Sequence, residues 1–551
     1  MDRRIILAIV LMLAVAVIPS ILFPPQKPAG GRVGAQPGGD TAAPVTPASP
    51  SPAPEQLTAR PPLHSTAAVS TPADTIWVTS PTGRFGFSTA GGQLVAAELL
   101  KYRSFAPADS GRAVQLIPAG HSVLATRLVV GRDTVALSDW AFEPSAPALR
   151  VDQEHTRLSF SAERQGAHVT LEYVFDPEGY RFEAFGRVTG LGPTGAVLVL
   201  GLGEGLRSVE ADSMEDFGHF SVVTKAAKTQ STAFKSLEPG EVKILDGPFE
   251  WVGLKSKYFL LAALALEENH PKFAGSIAVG GPRQGKTATR MAVAVTLPVA
   301  PAGDFRYQMY LGPLEYRRLV SIGHDLDDAN PYGGFMRALI QPVTSLVETV
   351  LLWMHERLHL AYGWVLVIFG IAVRLVLWPL NQRAMESSMR MQAAAPLIKA
   401  TQDRHKDDPE RLQREMLKVY KEHQVNPLGG CLPMLLPMPV LFALFFVFAN
   451  TIEFRGVPFL WLPDLSRADP YYIIPLMMGL SMFVLSKVGL IGVPPNPQAK
   501  MMLYFMPIFM TVLFFKFASG LNLYYAVSNI FSIPQQYLIA RRRLREQGKS
   551  T

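Results

Sequence analysis

Apolar residues fall along this chain in three regimes. One uninterrupted apolar stretch, residues 5–23, follows Arg3 and Arg4 and is long enough to cross about 30 Å of hydrocarbon. The second regime is one of short alternating runs. Val169, Leu171, Tyr173 and Phe175 take every second position, the chain turns at Asp176, Pro177, Glu178 and Gly179, and Phe182 and Phe185 follow. Such alternation, broken by Pro and Gly and repeated over residues 75–320, predicts short strands in a β-sandwich. The third regime comprises five long apolar runs, at 361–380, 431–449, 471–488, 501–517 and 523–539, each a candidate membrane span. The fold class predicted is a polytopic α-helical membrane protein with six transmembrane helices plus a large all-β domain.

The stretches between these regimes are equally legible. Residues 24–74 are dense in Pro, Ala, Ser, Thr and Gly, which predicts a disordered tether, because such a segment buries too little apolar surface to offset its ordering entropy. No small-x-small site follows the first apolar stretch, where Pro19, Ile21, Leu22 and Phe23 stand instead, so residues 1–23 read as an uncleaved anchor. Within 330–358, Phe335, Leu339, Leu346, Val350 and Trp353 recur at helical spacing, fitting an amphipathic helix on the membrane surface or a continuation into the next span. Residues 381–402 and 409–423 read as two helices of a hairpin spanning 381–424, with Asp408 capping the second and Pro409 in its first turn. The methionines Met385, Met389, Met391 and Met416 supply deformable apolar contacts there, either for a substrate or for the hairpin's own packing.

Charge orients these elements. Lys and Arg crowd 383–421, recur at Lys487 and Lys500, and end the chain as Arg541, Arg542, Arg543 and Arg545, within an overall net charge of +7. Positive loops stay inside, so both termini are expected in the cytoplasm and residues 24–360 outside, together with 453–470. Cys431 is the one cysteine, which excludes an intrachain disulfide.

Two enzyme motifs appear by spelling alone. The run from Gly280 through Gly285, Lys286 and Thr287 fits a phosphate-binding loop, but that loop needs a following helix, whereas Thr289, Met291, Val293, Val295 and Leu297 alternate like a strand. His355, Glu356 and His359 fit the zinc-protease helix, yet the next glutamate, Glu386, lies a full span away. No Cys-His or Ser-His-Asp arrangement can be assembled either. The chain is thus read as no enzyme, with no cofactor and no metal.

The chemistry lies in Arg374, inside the run 361–380. An arginine at mid-membrane costs at least about 3 kcal/mol on insertion scales, so it faces protein, water or a bound partner. From Tyr362 onward the chain resembles the YidC/Oxa/Alb family of membrane protein insertases. The residues carrying this are Gly363-Trp364 through Val373-Arg374, Trp378-Pro379-Leu380, the run from Val425 to Pro433 with Met438-Pro439, and Ser519 to Asn529 with Tyr524-Tyr525. Weaker motifs around Trp251, Tyr258, Asp327 and Pro342 are similar to the large periplasmic domain of Gram-negative members, a β-supersandwich. The resemblance implies an inner-membrane insertase and membrane chaperone that acts on nascent membrane proteins, alone or with the Sec translocon (SecYEG and SecDF). It implies a cytoplasm-open hydrophilic groove around Arg374, lined by Gly370, Ser528, Asn529, Ser532 and Gln535. It also implies a slide for the arriving segment along Tyr524, Tyr525, Pro433, Met438, Pro439 and Leu441, with the hairpin methionines in contact. Gly370 stands where relatives can carry a hydroxyl. The basic tail, with the hairpin, is expected to meet either ribosomal RNA phosphate or anionic membrane lipid. Against this stand a binding module merely anchored by its spans, which leaves Arg374 unexplained, and the metalloprotease.

Overall fold

The computed structural model describes residues 73–549 apart from 153–154, 178–179, 191–195, 267–270, 331–336, 406–407, 423–437 and 493–496. The chain divides into Met1–Ala68 and Val69–Thr551, and all described residues lie in the second part. The anchor at 1–23, the tether up to residue 72 and Pro433 therefore lie outside the described residues.

Strand Ala167–Phe175 buries Val169, Leu171, Tyr173 and Phe175 and turns the residues between them outward, as period-two alternation requires. It pairs antiparallel with Thr156–Arg164 on one side and Arg181–Thr189 on the other. Strands between Thr75 and Pro313 form sheets of five, nine and six strands. Phe85 and Phe87 of the five-stranded sheet meet Tyr173, Phe175 and Phe182 of the nine-stranded one with ring centroids 4.6 to 6.2 Å apart. Leu198, Leu200, Val295 and Leu297 bring the six-stranded sheet into the same core. Aromatic rings make this junction because they bury the most apolar area per residue.

Two short helices, α1 (Ser213–Phe217) and α2 (Tyr316–Ile322), belong to the β-rich part. The others are α3 (Arg337–Leu358), α4 (Tyr362–Arg404), α5 (Pro409–Glu422), α6 (Met438–Asn450), α7 (Ile473–Gly489), α8 (Pro497–Phe514) and α9 (Ser519–Lys549). In the bundle α9 packs against α7 and α4, α8 against α7, and α3 against α6. Its core contains Leu351, Val365, Leu366, Leu444, Met478 and Tyr524. The outer surfaces stay apolar, with Leu480, Ile508 and Val512 each at least 60% exposed. Such a surface suits lipid, which is as apolar as leucine.

The described residues show part of the expected set of membrane spans. Among the described residues, Tyr362–Ala384 is the one stretch both long and apolar enough to cross a membrane. Met438–Asn450, Ile473–Gly489 and Leu503–Phe514 are shorter apolar helices. At about 1.5 Å per residue, α7's 17 residues fall just short of 30 Å. Ser528, Asn529, Ser532 and Gln535 dilute the apolar character of α9. The first arm of the expected hairpin is not a separate helix either, since α4 runs unbroken for 43 residues. Pro379 removes one helical N–H without ending the helix, and the residues from Asn381 to Ala384 contain no breaker. The basic segment after residue 540 is likewise helical, continuing α9 to Lys549.

Candidate functional site

Arg374 lies twelve residues into α4, about 18 Å along it, inside the stretch Tyr362–Ala384 that is long and apolar enough to cross a membrane. Its Nε donates to Ser528 Oγ at 2.7 Å. Seven residues on, two helical turns, Asn381 Nδ2 donates to Gln535 Oε1 at 2.9 Å, and Gln535 Nε2 to the Trp378 carbonyl at 3.4 Å. Residues 374 and 381 advance together with 528 and 535, so α4 and α9 run parallel with one polar seam between them. Gly370 lies a turn above Arg374. A Cβ there would sit 3.4 Å from both Tyr524 Cδ2 and Val527 Cγ1, so the seam is closed by ordinary van der Waals contact.

The structure thus brings Arg374, Gly370, Ser528, Gln535 and Tyr524 together. Asn529 faces elsewhere and donates to Ser481 Oγ on α7 at 3.3 Å. Ser532 Oγ turns back to the Ser528 carbonyl at 2.7 Å, a bond within its own helix. Tyr524 packs against Phe369 of α4 and Tyr525 against Phe514 of α8, on different sides of α9. Met438 and Pro439 open α6, while Leu441 is half-buried against the bundle core. Met385, Met389 and Met391 lie on α4; the side chains of the first two are outside the described ones, and Met391 is half-buried. Asn381, Ser481 and Arg543 were missed by the sequence reading, although a polar residue seven after Arg374 and a hydroxyl inside an apolar run were available signals. Arg543, read as part of a tail, is buried and donates at 3.0 Å to the carbonyls of Gly489, the last residue of α7, and of Ile491 just beyond it.

A guanidinium carries five N–H donors and cannot lose its charge. Among the described residues the titratable groups near Arg374 are the phenols Tyr524 and Tyr525, and its Nε donates to one hydroxyl, that of Ser528. Among the described residues the seam therefore holds a cation without a carboxylate partner, in an otherwise apolar bundle.

Neither spelled motif assembles a site. The segment at 280–287 forms a small hairpin, Arg283–Gln284 against Thr287–Ala288, followed by the strand Met291–Pro298 instead of a helix. Arg283 spends its guanidinium on the carbonyls of Lys235 and Leu237. His355 Nδ1 lies 2.7 Å from the Leu360 carbonyl and its ring stacks on Tyr362, while Glu356 receives Arg317 at 2.5 Å. His359 sits past the end of α3 with φ of +53°, off the helical face it would have to share. No group of His, Cys, Asp or Glu among the described residues could hold a metal ion.

A β-rich domain set on a helical bundle with a half-buried arginine between two of its helices defines a class of inner-membrane protein, and comparison with known proteins gives the family. Residues 353–547 match the family described as 60Kd inner membrane protein, and residues 75–346 match the YidC periplasmic domain. A relative from Syntrophus aciditrophicus (strain SB), described as membrane protein insertase YidC, is 31% identical over 577 residues, covering 98% of this chain and 100% of its own. Another of that description, from Burkholderia vietnamiensis (strain G4 / LMG 22486), is 31% identical over 77% of this chain and 76% of its own. A crystal structure of an active YidC insertase with its first transmembrane domain resolved is 17% identical, covering 84% of this chain and 92% of that one, with a TM-score of 0.33. The chain belongs to the YidC family of membrane protein insertases.

Proposed function

We propose that this chain inserts hydrophobic segments of nascent proteins into the inner membrane by way of the seam between α4 and α9. The observation that carries this is Arg374, a permanent cation with a hydroxyl, and no carboxylate among the described residues, as its partner. A short polar or acidic stretch of the arriving chain enters the seam from the cytoplasm and is held by the guanidinium, which shortens its path through hydrocarbon. The apolar segment meanwhile passes along the slide of Tyr524, Met438 and Leu441 into lipid, and burial of its apolar surface drives the step. No bond is made or broken, so the protein is a chaperone of insertion and not an enzyme.

In this reading α4, α6, α7, α8 and α9 form the five-helix core and residues 5–23 add a sixth span. Both termini are cytoplasmic, and the core works alone on short substrates and with the Sec translocon on larger ones. Anionic lipid meets the basic end of α9, with ribosomal RNA phosphate the alternative partner for the same charges. The test is insertion of a short single-span protein into nucleotide-free proteoliposomes containing the chain or its Arg374→Ala variant. Protected, membrane-spanning substrate above the empty-liposome level is expected for the chain, with a clear deficit for the variant. Equal insertion by the two would remove Arg374 from the mechanism.

A further inference from the structure

The loop between α6 and α7 is stitched into both halves of the molecule. Ile452 is buried in the core of the β-rich domain, whereas Phe454, two residues on, is buried in the core of the bundle. Phe454 meets Tyr362 at the start of α4, with ring centroids 4.9 Å apart. Phe459 lies so close under Gly363 that a Cβ there would come within 2.0 Å of its ring. Further along, the Arg467 and Leu465 carbonyls accept the N–H groups of Ser519 and Gly520, at 2.7 and 3.0 Å. The same loop thus closes over the first residues of α4 and of α9, the two helices that flank Arg374.

Arg455 fastens that loop to the β-rich domain. Its Nε donates to Glu210 Oε1 at 2.7 Å, Nη1 to the Arg103 carbonyl at 2.9 Å and Nη2 to the Val209 carbonyl at 3.4 Å. The guanidinium lies over the Phe105 ring at 4.3 Å, and its side chain is 3% exposed. A planar fork that satisfies three acceptors and an aromatic face at once fixes both distance and orientation, which a lysine's point charge cannot do. Gly456, at φ of +72°, allows the chain to turn directly against Phe105.

We propose that Arg455 is a positioning residue: through it the β-rich domain holds the 451–470 loop as the outer seal of the Arg374 seam, closing that seam to the periplasm. This rests on the reading of the seam as the substrate groove. The test uses the full chain with Cys431→Ser and a reporter, Val527→Cys, whose native side chain lies on the seam beside Gly370. Labelling by a membrane-impermeant maleimide is timed from each face, in right-side-out and inverted membrane vesicles. The parent labels from the cytoplasmic face only. Arg455→Ala and Glu210→Gln each raise labelling from the outer face by about tenfold or more, because each strips one partner from a buried ion pair, and Arg455→Lys falls between. Should Arg455→Ala fail to accumulate, Glu210→Gln decides, since it leaves the two carbonyl contacts in place. Outer-face labelling no faster than the parent's overturns the seal. Equal labelling of the parent from both faces overturns the groove reading itself, and the seal with it.

Discussion

Beside Arg455, Glu453 is held under the β-rich domain with its Oε2 buried and without a hydrogen-bond partner among the described residues. Burial first, and then the neighbouring Glu348 and Glu315 carboxylates against a smaller pull from Arg317, push its pKa from 4.5 up to about 8. The folded chain therefore keeps this proton where the unfolded chain has lost it. Its contribution to stability is complete below pH 4.5 and declines as the pH rises to about 8, by up to about 1.4 kcal/mol per pH unit. Glu453→Gln, which cannot ionise, is expected to remove that slope. Thermal unfolding in detergent at pH 5, 7 and 8.5 should show the variant gaining on the parent as the pH rises; a constant difference would mean that Glu453 is already ionised at pH 7. Arg374 itself was legible as a charge within an apolar run. Its partner Ser528 was legible only as one of several polar residues on α9, because periodicity places residues on a helix but not the azimuth at which a neighbouring helix meets it.

Element boundaries expose the same limit from another side. The apolar runs marked where helices lie, yet hydropathy falls at residue 381 while the backbone of α4 continues to Arg404, because a change of solvent does not itself break a helix, and Pro379 just before the transition removes one N–H without ending it. At the same end of the bundle, a cluster of arginines looked like a solvated tail, and one of them proves structural. Arg543 donates to the Gly489 and Ile491 carbonyls, which a helix C-terminus leaves without intrahelical partners, and a cation there also suits the helix dipole. Its neighbours Arg541, Arg542 and Arg545 remain exposed and free to meet lipid or RNA phosphate. Arg543→Ala should therefore cost about 1–3 kcal/mol, the usual range for charge-assisted hydrogen bonds lost from a buried site. The triple change of its three neighbours to Ala should cost almost nothing. Denaturant unfolding of the two variants separates them, and equal losses would return Arg543 to the tail.

At the scale of the whole molecule, sequence pattern separates a β-rich domain from a helical bundle but says nothing of how they are joined, since the joining residues are few, distant in sequence and chemically ordinary. Ile452 and Phe454 are two apolar residues two positions apart, and no periodicity assigns them to different cores, as the structure does. That division gives each core a stake in the same turn. An isoleucine or phenylalanine cut to alanine in a packed core loses about 2–5 kcal/mol through transfer and cavity terms, and the loss is felt by the core that held it. Ile452→Ala should then quicken hydrogen exchange in strands of the β-rich domain, such as Leu94–Arg103 and Asp304–Pro313, although the substituted residue belongs to a loop between bundle helices. Phe454→Ala should instead loosen the first turns of α4 and the last of α6, where Tyr362 and Phe448 lose their ring partner. If the two cores are coupled only through this turn, each variant leaves the far core's protection nearly unchanged. If both variants loosen both cores, the β-rich domain and the bundle unfold as one unit, and the outer seal can open only by partial unfolding instead of by a rigid movement of the domain.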